Sequence, residues 1–274
     1  MEQFLLDHAA LLRLSAFLVV LVLFSTWEFY RPCRSQALVW YRRFNNLLLL
    51  GVGAVLVRYL FPLAMVGVAQ WYSLNGWGLY TMLGTSFWVS LVSFVLLMDL
   101  VIYAQHVMMH KIPLLWRLHR VHHSDRHLDV TTALRFHPLE IIFSVLLKCL
   151  VIAMLGPPVI AVVVFIVGLN IISMFNHSNV YINPTVDRYL RYFLVTPDVH
   201  CVHHSMDLSE NRCNYGFNLP WWDYLFGTYQ ARPARGYQSM QIGLSEFSGT
   251  KIVGVFWLLI MPFLSDKADT EKDI

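Results

Sequence analysis

Long apolar runs are the feature that most constrains the fold of this chain. Residues 11–30, 46–70 and 79–105 form three runs of at least twenty residues in which charged side chains are rare. About twenty apolar residues in a helix are enough to cross the hydrocarbon core of a bilayer. Only 14% of all residues are charged, whereas a soluble domain carries roughly 25%. The runs therefore predict an integral membrane protein.

A fourth apolar region, residues 139–175, is interrupted by the sequence Gly-Pro-Pro at 156–158. Each half is short for a span but long enough for one arm of a tightly turned hairpin. A last run, residues 252–264, contains Pro262 and is too short to cross, which predicts an interfacial or buried helix. We expect an all-α membrane bundle of about four spans, or three plus a hairpin, capped by a histidine-rich helical region.

Basic residues indicate how the bundle is oriented. Residues 31–44 carry four arginines and no acidic residue, whereas residues 71–84 carry no charge and contain several Trp and Tyr. Cationic loops stay in the cytoplasm, so the first of these loops is predicted to be cytoplasmic and the second to be outside. Residues 106–138 and 177–251 are then both cytoplasmic, because the hairpin between them returns to the same side. We expect a multi-pass protein, in the inner membrane if the source is bacterial.

The chain is interpreted as one integral domain with three parts. Residues 1–105 hold the N-terminal membrane helices, residues 106–251 hold the histidine-rich catalytic region with its hairpin, and residues 252–274 hold an interfacial helix and a polar tail. The net charge of +3 is explained by topology, so no basic patch argues for nucleic acid. The four cysteines form no C-x-x-C pair, and no disulfide is expected.

Histidines are concentrated in one part of the chain. Eleven of the twelve lie between His106 and His204, and eight of these belong to one H-x-x-x-H and two H-x-x-H-H segments. Such spacings place imidazoles on one face of a helix, as metal-binding helices require. A solvated helix at the membrane surface would explain one such segment, but not three together. The candidate ligands are His106, His110, His119, His122, His123, His200, His203 and His204.

Eight histidines are too many for one ion, so the sequence predicts two metals, each with an open position. Imidazole binds iron, zinc, copper and nickel, and ligand type alone does not select among them. A metal pair at the mouth of a membrane bundle favours lipid chemistry with O2, whereas zinc would indicate hydrolysis. Two alternatives stay open: a di-zinc lipid hydrolase, and a metal transporter, which the position of the histidines at the edges of the spans disfavours.

The order and spacing of these segments resemble the fatty acid hydroxylase / sterol desaturase superfamily. The segments are HVMMH, HRVHH and HCVHH, followed by NYGFNLPWWDYLFGTY. The stretch HHSDRHLDVTTALRFHPLE is most similar to the bacterial sterol desaturase branch and more distantly to the alkylglycerol monooxygenases. The resemblance covers roughly residues 90–230.

The resemblance implies a non-haem di-iron centre that uses O2 to hydroxylate or desaturate a lipid C–H bond. The lipid would be a fatty acyl, alkyl ether or sterol-like chain. Electrons would come from a separate protein of ferredoxin or cytochrome b5 type, since the chain has no G-x-G-x-x-G nucleotide motif. Zinc can also occupy such a centre in the purified protein.

The same resemblance assigns the eight motif histidines as ligands and suggests two more. His177, in FNHSN, stands where relatives have a further histidine, but the residue four positions earlier is Ser173. His137 is the other candidate for a missing imidazole; for both, a capping or supporting role is the alternative. His127 has no counterpart in the family and is interpreted as a surface histidine.

Three residues are candidates for orienting the ligands. Asp99 lies seven residues before His106, on the same helix face within an apolar run, and its alternative role is a partner for Arg58. Asp223 matches the W-D position of the family, and Asn176 precedes His177. The aromatic residues that follow are interpreted as interfacial packing, with the wall of a lipid channel as the alternative: Trp221, Trp222, Tyr224 and Phe226.

Overall fold

The computed structural model describes residues 2–36, 39–61, 64–237, 239–247 and 253–264. Regular structure in these residues is entirely helical, with two isolated backbone bridges between loops. This confirms the predicted all-α class.

Five segments within the described residues are long and apolar enough to cross a membrane. They comprise the three predicted runs and the two arms of the predicted hairpin: Leu11–Tyr30, Val39–Met82, Phe87–Lys111, Pro138–Leu155 and Val159–His177. The helices that contain them are α1 (Glu2–Tyr30), α2 (Val39–Leu60), α3 (Ala64–Asn75), α4 (Leu79–Met82), α5 (Phe87–Lys111), α7 (Pro138–Leu155) and α8 (Val159–His177). The architecture fits a multi-pass membrane protein.

Shorter helices follow the spans at one end of the bundle. They are α6 (Pro113–His123), α9 (Pro184–Leu190), α10 (Pro197–His203), α11 (Leu208–Asn211), α12 (Trp221–Phe226) and α13 (Val255–Ile260). The spans α5 and α8 deliver their histidine-bearing ends to this side, where α6 and α10 pack against them, whereas α12 lies beside α5.

The second apolar run differs from the prediction. A single span was expected over residues 46–70, but α2 ends at Leu60 and α3 begins at Ala64. The sequence has Pro62 in this interval. Proline offers no backbone N–H and clashes with the preceding turn, which accounts for two helices in place of one.

The turn between α7 and α8 lies at the end of the bundle opposite the histidines. Gly156 ends α7 with φ 61°, a left-handed conformation that suits glycine. Its backbone touches the loop before α4, since a Cβ on Gly156 would lie 2.2 Å from the carbonyl oxygen of Trp77. Above this turn, α5 and α8 pack through Phe94 and Phe165, whose ring centroids are 6.2 Å apart.

A buried ionic network joins α2 to the loop after α6. The Arg42 guanidinium lies 2.7 Å from a carboxylate oxygen of Asp125 and 2.7 Å from one of Asp129. Arg43 connects the network to Glu28 at the end of α1. Buried charges need such partners, because an unpaired one is strongly destabilising. The network therefore fixes the loop that follows the HRVHH segment.

The predicted C-terminal helix is partly described. Within residues 253–264, α13 packs against α2 and α6 around Leu49, Val121 and Leu258, all of them buried. The helix is thus buried along this face. Residue 252 and the polar tail, residues 265–274, lie outside the described residues.

Candidate metal centre

Four helices bring histidines to one place. HVMMH forms the last turns of α5, HRVHH ends α6, HCVHH comprises the last four residues of α10 and its C-cap His204, and His177 is the last residue of α8. Only Ile112 separates α5 from α6, and Pro113 follows at the first position of α6, where its missing N–H has no helical partner to lose. This sharp connection folds α6 back against the end of α5.

The histidines form two groups, in each of which one ligand atom per residue lies within 4.8 Å of all the others. Group one comprises His106, His110, His119, His123 and His203. Group two comprises His122, His177, His200 and His204. The structure thus brings all eight motif histidines and His177 together.

Both H-x-x-H-H segments divide between the two groups in the same way. The outer pair, spaced i and i+4, goes to one group, and the middle histidine goes to the other. On α6 the outer pair joins group one, whereas on α10 it joins group two. Two segments of identical spacing thereby supply three histidines to each of the two groups.

Burial favours the neutral form of several of these imidazoles. Eight of the nine are buried, and His110 is half-buried. Burial lowers the pKa of His203 to about 3. Burial, and then the nearby imidazoles, hold the pKa well below its ordinary value for His122, His123, His200 and His204. Metal ions bind the neutral form, so the ligand lone pairs are available at neutral pH.

Hydrogen bonds at Nδ1 fix the tautomer of two facing rings. His106 Nδ1 donates to the carbonyl oxygen of Tyr215 at 2.8 Å, and His119 Nδ1 donates to Oε1 of Glu140 at 2.7 Å. Because these oxygens only accept, each Nδ1 carries the ring proton and each Nε2 presents a lone pair. The two Nε2 atoms are 3.1 Å apart. Two lone pairs at this distance repel each other, and a cation bound by both removes that repulsion.

The other rings of group one are also held at Nδ1. His203 Nδ1 donates to the carbonyl oxygen of Cys213 at 2.7 Å. Asn211 accepts from Nδ1 of His110 at 3.1 Å, and its amide nitrogen lies 3.1 Å from Nδ1 of His123. Partners of this kind orient metal-binding histidines in proteins.

In group two the Nε2 atoms converge on one another. His177 Nε2 lies 3.0 Å from Nε2 of both His122 and His200, and His200 Nε2 lies 3.2 Å from that of His204. His177 Nδ1 donates to the carbonyl oxygen of Ser173 in its own helix. The donor atoms of both groups are imidazole nitrogens, which suits iron, zinc, copper or nickel and not the oxygen-binding Mg²⁺ or Ca²⁺.

Two further histidines, the candidate ligand His137 and the predicted surface residue His127, lie outside both groups. His137 caps the start of α7, where its Nδ1 accepts from the N–H of Leu139 at 3.2 Å and its Nε2 lies 3.1 Å from the carbonyl oxygen of Leu259. Both ring nitrogens therefore face backbone groups, and the structure does not bring His137 to the centre. His127 is half-buried in the loop after α6, where it lines a cavity.

The residues expected to orient the ligands bind the loop before α12 and not the histidines themselves. Asp99 accepts from the side chains of Asn218 at 2.7 Å and Trp222 at 2.9 Å, and these bonds hold the loop before α12 against α5. Among the described residues, Asp99 makes no hydrogen bond to a histidine and no ion pair with Arg58. The predicted direct contacts with His106 and with Arg58 are thus absent from this part of the chain.

Asp223 and Asn176 act on the same loop. Asp223 accepts from the backbone N–H of Tyr215 at 2.8 Å and of Gly216 at 2.7 Å. It therefore fixes the residue whose carbonyl accepts from His106. Asn176 donates to the carbonyl oxygen of Phe217 at 2.8 Å, which ties the end of α8 to this loop.

Sequence reasoning missed the two described side chains that hydrogen-bond to the grouped histidines, Glu140 and Asn211. Glu140 could have been identified from the sequence, because it is the one acidic residue in the apolar region 139–175. Asp99 was chosen for the same reason, since it is an acidic residue within an apolar run. Asn211 could not have been identified, since it lies in an irregular stretch of no distinctive spacing.

Comparison with known proteins agrees with this geometry. A family model described as fatty acid hydroxylase matches residues 91–228, half of the chain, and this range contains all nine histidines of the two groups. The chain therefore belongs to the fatty acid hydroxylase family, which confirms the resemblance seen in the sequence.

The similar curated proteins carry lipid-related names. The chain is 33% identical over 163 residues to the ornithine lipid hydroxylase OlsE of Rhizobium tropici, which covers 59% of this chain and 46% of that protein. It is 29% identical over 147 residues to the alkylglycerol monooxygenase of Homo sapiens, covering 54% and 32%. It is 28% identical over 135 residues to the very-long-chain aldehyde decarbonylase GL1-6 of Oryza sativa subsp. indica, covering 46% and 20%. The matches span less than half of each of these relatives, and no solved structure matches significantly.

Proposed function

We propose that this chain is a membrane-bound di-iron oxygenase that hydroxylates or desaturates a C–H bond of a lipid with O2 and electrons from a separate protein. The observation that carries the proposal is the convergence of nine imidazoles into two groups, nearly all of them buried, at the end of a membrane bundle. The family and the names of the relatives, which include two lipid-directed oxygenases, support the reaction class.

Each group would hold one metal. One ion would be bound by His106, His110, His119, His123 and His203, and the other by His122, His177, His200 and His204. A pair of redox-active ions would supply the activation of O2 that oxidation of an unactivated C–H bond needs. Group two has four nitrogen donors, which leaves room for a further ligand.

The chain itself orients the ligands and limits access of water. Tyr215 and Glu140 hold the rings of His106 and His119 by Nδ1, which directs both Nε2 atoms to the same point. Residues of the capping helices bury the rings, so bulk water does not compete for the donor nitrogens.

The position of the centre fits a lipid substrate. His106 and His110 occupy the last turns of α5, a helix long enough to cross the bilayer. The centre therefore lies where this span leaves the membrane, and an acyl, alkyl ether or sterol-like chain in the adjacent leaflet would place a carbon within reach. By the positive-inside rule we propose that this side is cytoplasmic, where a ferredoxin or cytochrome b5 type donor could dock.

Metal analysis tests the proposal directly. We expect two irons per chain in protein expressed with excess iron, and a clear loss of iron in His106→Ala and His122→Ala, one from each group. His127→Ala and His137→Ala are the matched controls and should keep both ions, because neither ring belongs to a group. Two zinc ions that persist after iron-replete expression would refute the oxygenase and favour the hydrolase.

Lipid analysis of the expression host tests the reaction. The wild-type chain, compared with His203→Ala in the same strain, should add a hydroxyl group or a double bond to one lipid class, and only when O2 is present. A product that forms equally without O2, or in the His203→Ala strain, would contradict the assignment.

A further inference from the structure

An exposed aromatic surface lies outside the five candidate spans. It is formed by α9 with the turn after it and by α12, and we call it the aromatic ledge. Its side chains are 43% to 69% exposed and comprise Tyr189, Tyr192, Phe193, Trp221, Tyr224, Leu225 and Phe226. A contiguous apolar surface of this kind marks a place where something other than water covers the protein.

Hydrogen bonds make the ledge one continuous surface. The indole N–H of Trp221 donates to the carbonyl oxygen of Tyr192 at 2.8 Å. The hydroxyl of Tyr224 donates to the carbonyl oxygen of Arg191 at 3.4 Å. The segment after α9 and the helix α12 are thus joined side by side.

Contacts with α5 place the ledge at the level of the membrane. Trp222 donates to Asp99 at 2.9 Å, and Phe226 stacks on Tyr103 with ring centroids 5.4 Å apart. Asp99 and Tyr103 precede the end of α5 at Lys111 by twelve and eight residues, which is about 18 Å and about 12 Å along the helix axis. Helix α12 therefore lies beside the span and not beyond its end.

The backbone of α12 makes hydrogen bonds within the protein near both of its ends. The N–H of Tyr224 donates to the carbonyl of Pro220 and that of Thr228 donates to the carbonyl of Asp223. Inside a bilayer each such group must be satisfied by the protein. The surface that α12 presents outward consists of its aromatic and aliphatic side chains.

We propose that the aromatic ledge is embedded in the leaflet on the histidine side, where acyl chains and the headgroup boundary cover it. Tyr and Trp are the side chains that favour this boundary, since each combines an apolar ring with a polar atom. The ledge extends the membrane-facing surface of α5 sideways, and the inference is independent of which metal the histidines bind.

Nitroxide depth measurements test the proposal. The four native cysteines are replaced by serine, and Leu225→Cys or Tyr189→Cys is spin-labelled in the full chain in phospholipid nanodiscs. Leu150→Cys, 58% exposed on the span α7, is the lipid reference, and Glu246→Cys, on an exposed loop, is the water reference. Power saturation then compares accessibility to O2, which concentrates in lipid, with accessibility to a water-soluble nickel chelate.

We expect both ledge labels to give an O2-to-nickel accessibility ratio severalfold above that of Glu246→Cys and close to that of Leu150→Cys. High accessibility to nickel would refute the proposal in favour of a water-exposed surface. Low accessibility to both reagents would refute it in favour of a protein partner or a second copy of this chain. Size-exclusion profiles and metal content equal to those of the cysteine-free parent establish that each labelled variant is folded.

Discussion

Replacing Glu140 by glutamine tests whether the carboxylate behind His119 controls metal binding. His119 Nδ1 donates to Glu140 at 2.7 Å, and both side chains are nearly inaccessible to solvent. Glutamine preserves the length and one acceptor oxygen but removes the negative charge. The charged form strengthens the ring as a donor to a cation, so its loss should weaken metal binding without removing a ligand.

The expected size of the effect has two parts. A hydrogen bond to a charged group contributes about 1 kcal/mol more than a neutral one, which is about fivefold in affinity. The second carboxylate oxygen, Oε2 of Glu140, is buried without a partner among the described residues, so the glutamine NH2 placed there would lack an acceptor. Substitutions of such partners in metal proteins cost about 10- to 100-fold, and we expect a loss of at least about tenfold for Glu140→Gln.

Competition with an Fe²⁺ chelator under anaerobic conditions measures this affinity in the purified protein. Ser144→Ala is the matched control, because Ser144 lies one turn further along α7 and bonds to Gln105 and to no histidine. Glu140→Gln with wild-type affinity would refute the role of the carboxylate. An equal loss in Ser144→Ala would show that any change in α7 disturbs the centre.

Three further substitutions distinguish effects on the metal centre from effects on the stability of the fold. Gly216→Ala would place a Cβ 2.6 Å from a carboxylate oxygen of Asp223, so the loop that holds His106 must shift, and metal content should fall. Gly156→Ala would place a Cβ 2.2 Å from the carbonyl of Trp77 at a positive φ. A strained residue costs about 1–3 kcal/mol, so thermal stability should fall while the metal content of the folded protein equals that of the wild type. Arg42→Met would remove the ion pair of buried Asp125 and leave buried Asp129 only its pair with Arg43 at 3.3 Å, and should cost about 3–5 kcal/mol in thermal or chemical unfolding.

Each of these has a control in the chain. Gly51→Ala meets nothing within 4 Å and should be tolerated, unlike the other two glycine substitutions. Arg58→Met removes an arginine that is exposed and should change stability by less than about 0.5 kcal/mol. If Arg58→Met lowered the free energy of unfolding as much as Arg42→Met, the loss would result from removing any positive charge and not from breaking the buried ion pairs.

The spans could be predicted from the sequence because hydrophobic length has a direct physical meaning in a bilayer. The hairpin of α7 and α8 turns at Gly156, as the Gly-Pro-Pro sequence indicated. The capping region could not be predicted in the same way. Helices such as α11, four residues long, are too short to carry an apolar period. The position of the loop before α12 depends on buried hydrogen bonds to Asp99 and Asp223.

The motif histidines could be predicted from spacing, but their neighbours could not. Tyr215 and Cys213 contact His106 and His203 through backbone carbonyls, and every residue has a carbonyl. The division of each H-x-x-H-H between two groups also depends on how α6 and α10 face each other. Spacing alone places all three histidines near one side of their helix.

The two groups differ in how firmly the protein holds their rings, and this predicts an order of metal release. In group one the Nδ1 atoms of four rings donate to protein acceptors, and that of His123 lies 3.1 Å from the amide nitrogen of Asn211, a donor. In group two only His177 has such a partner, whereas Nδ1 of His122, His200 and His204 is buried with none among the described residues.

Unsupported rings are oriented by packing alone, as where His122 stacks on Phe136 with centroids 4.4 Å apart. Because partners of ligating histidines contribute about 10- to 100-fold to affinity, the ion of group two should dissociate first. Timed chelation followed by metal analysis should show an intermediate with one ion per chain. In His204→Ala the remaining ion should leave at the slow rate, and in His106→Ala at the fast rate. Equal release rates in the two variants would show that the hydrogen bonds at Nδ1 do not determine how firmly each ion is held.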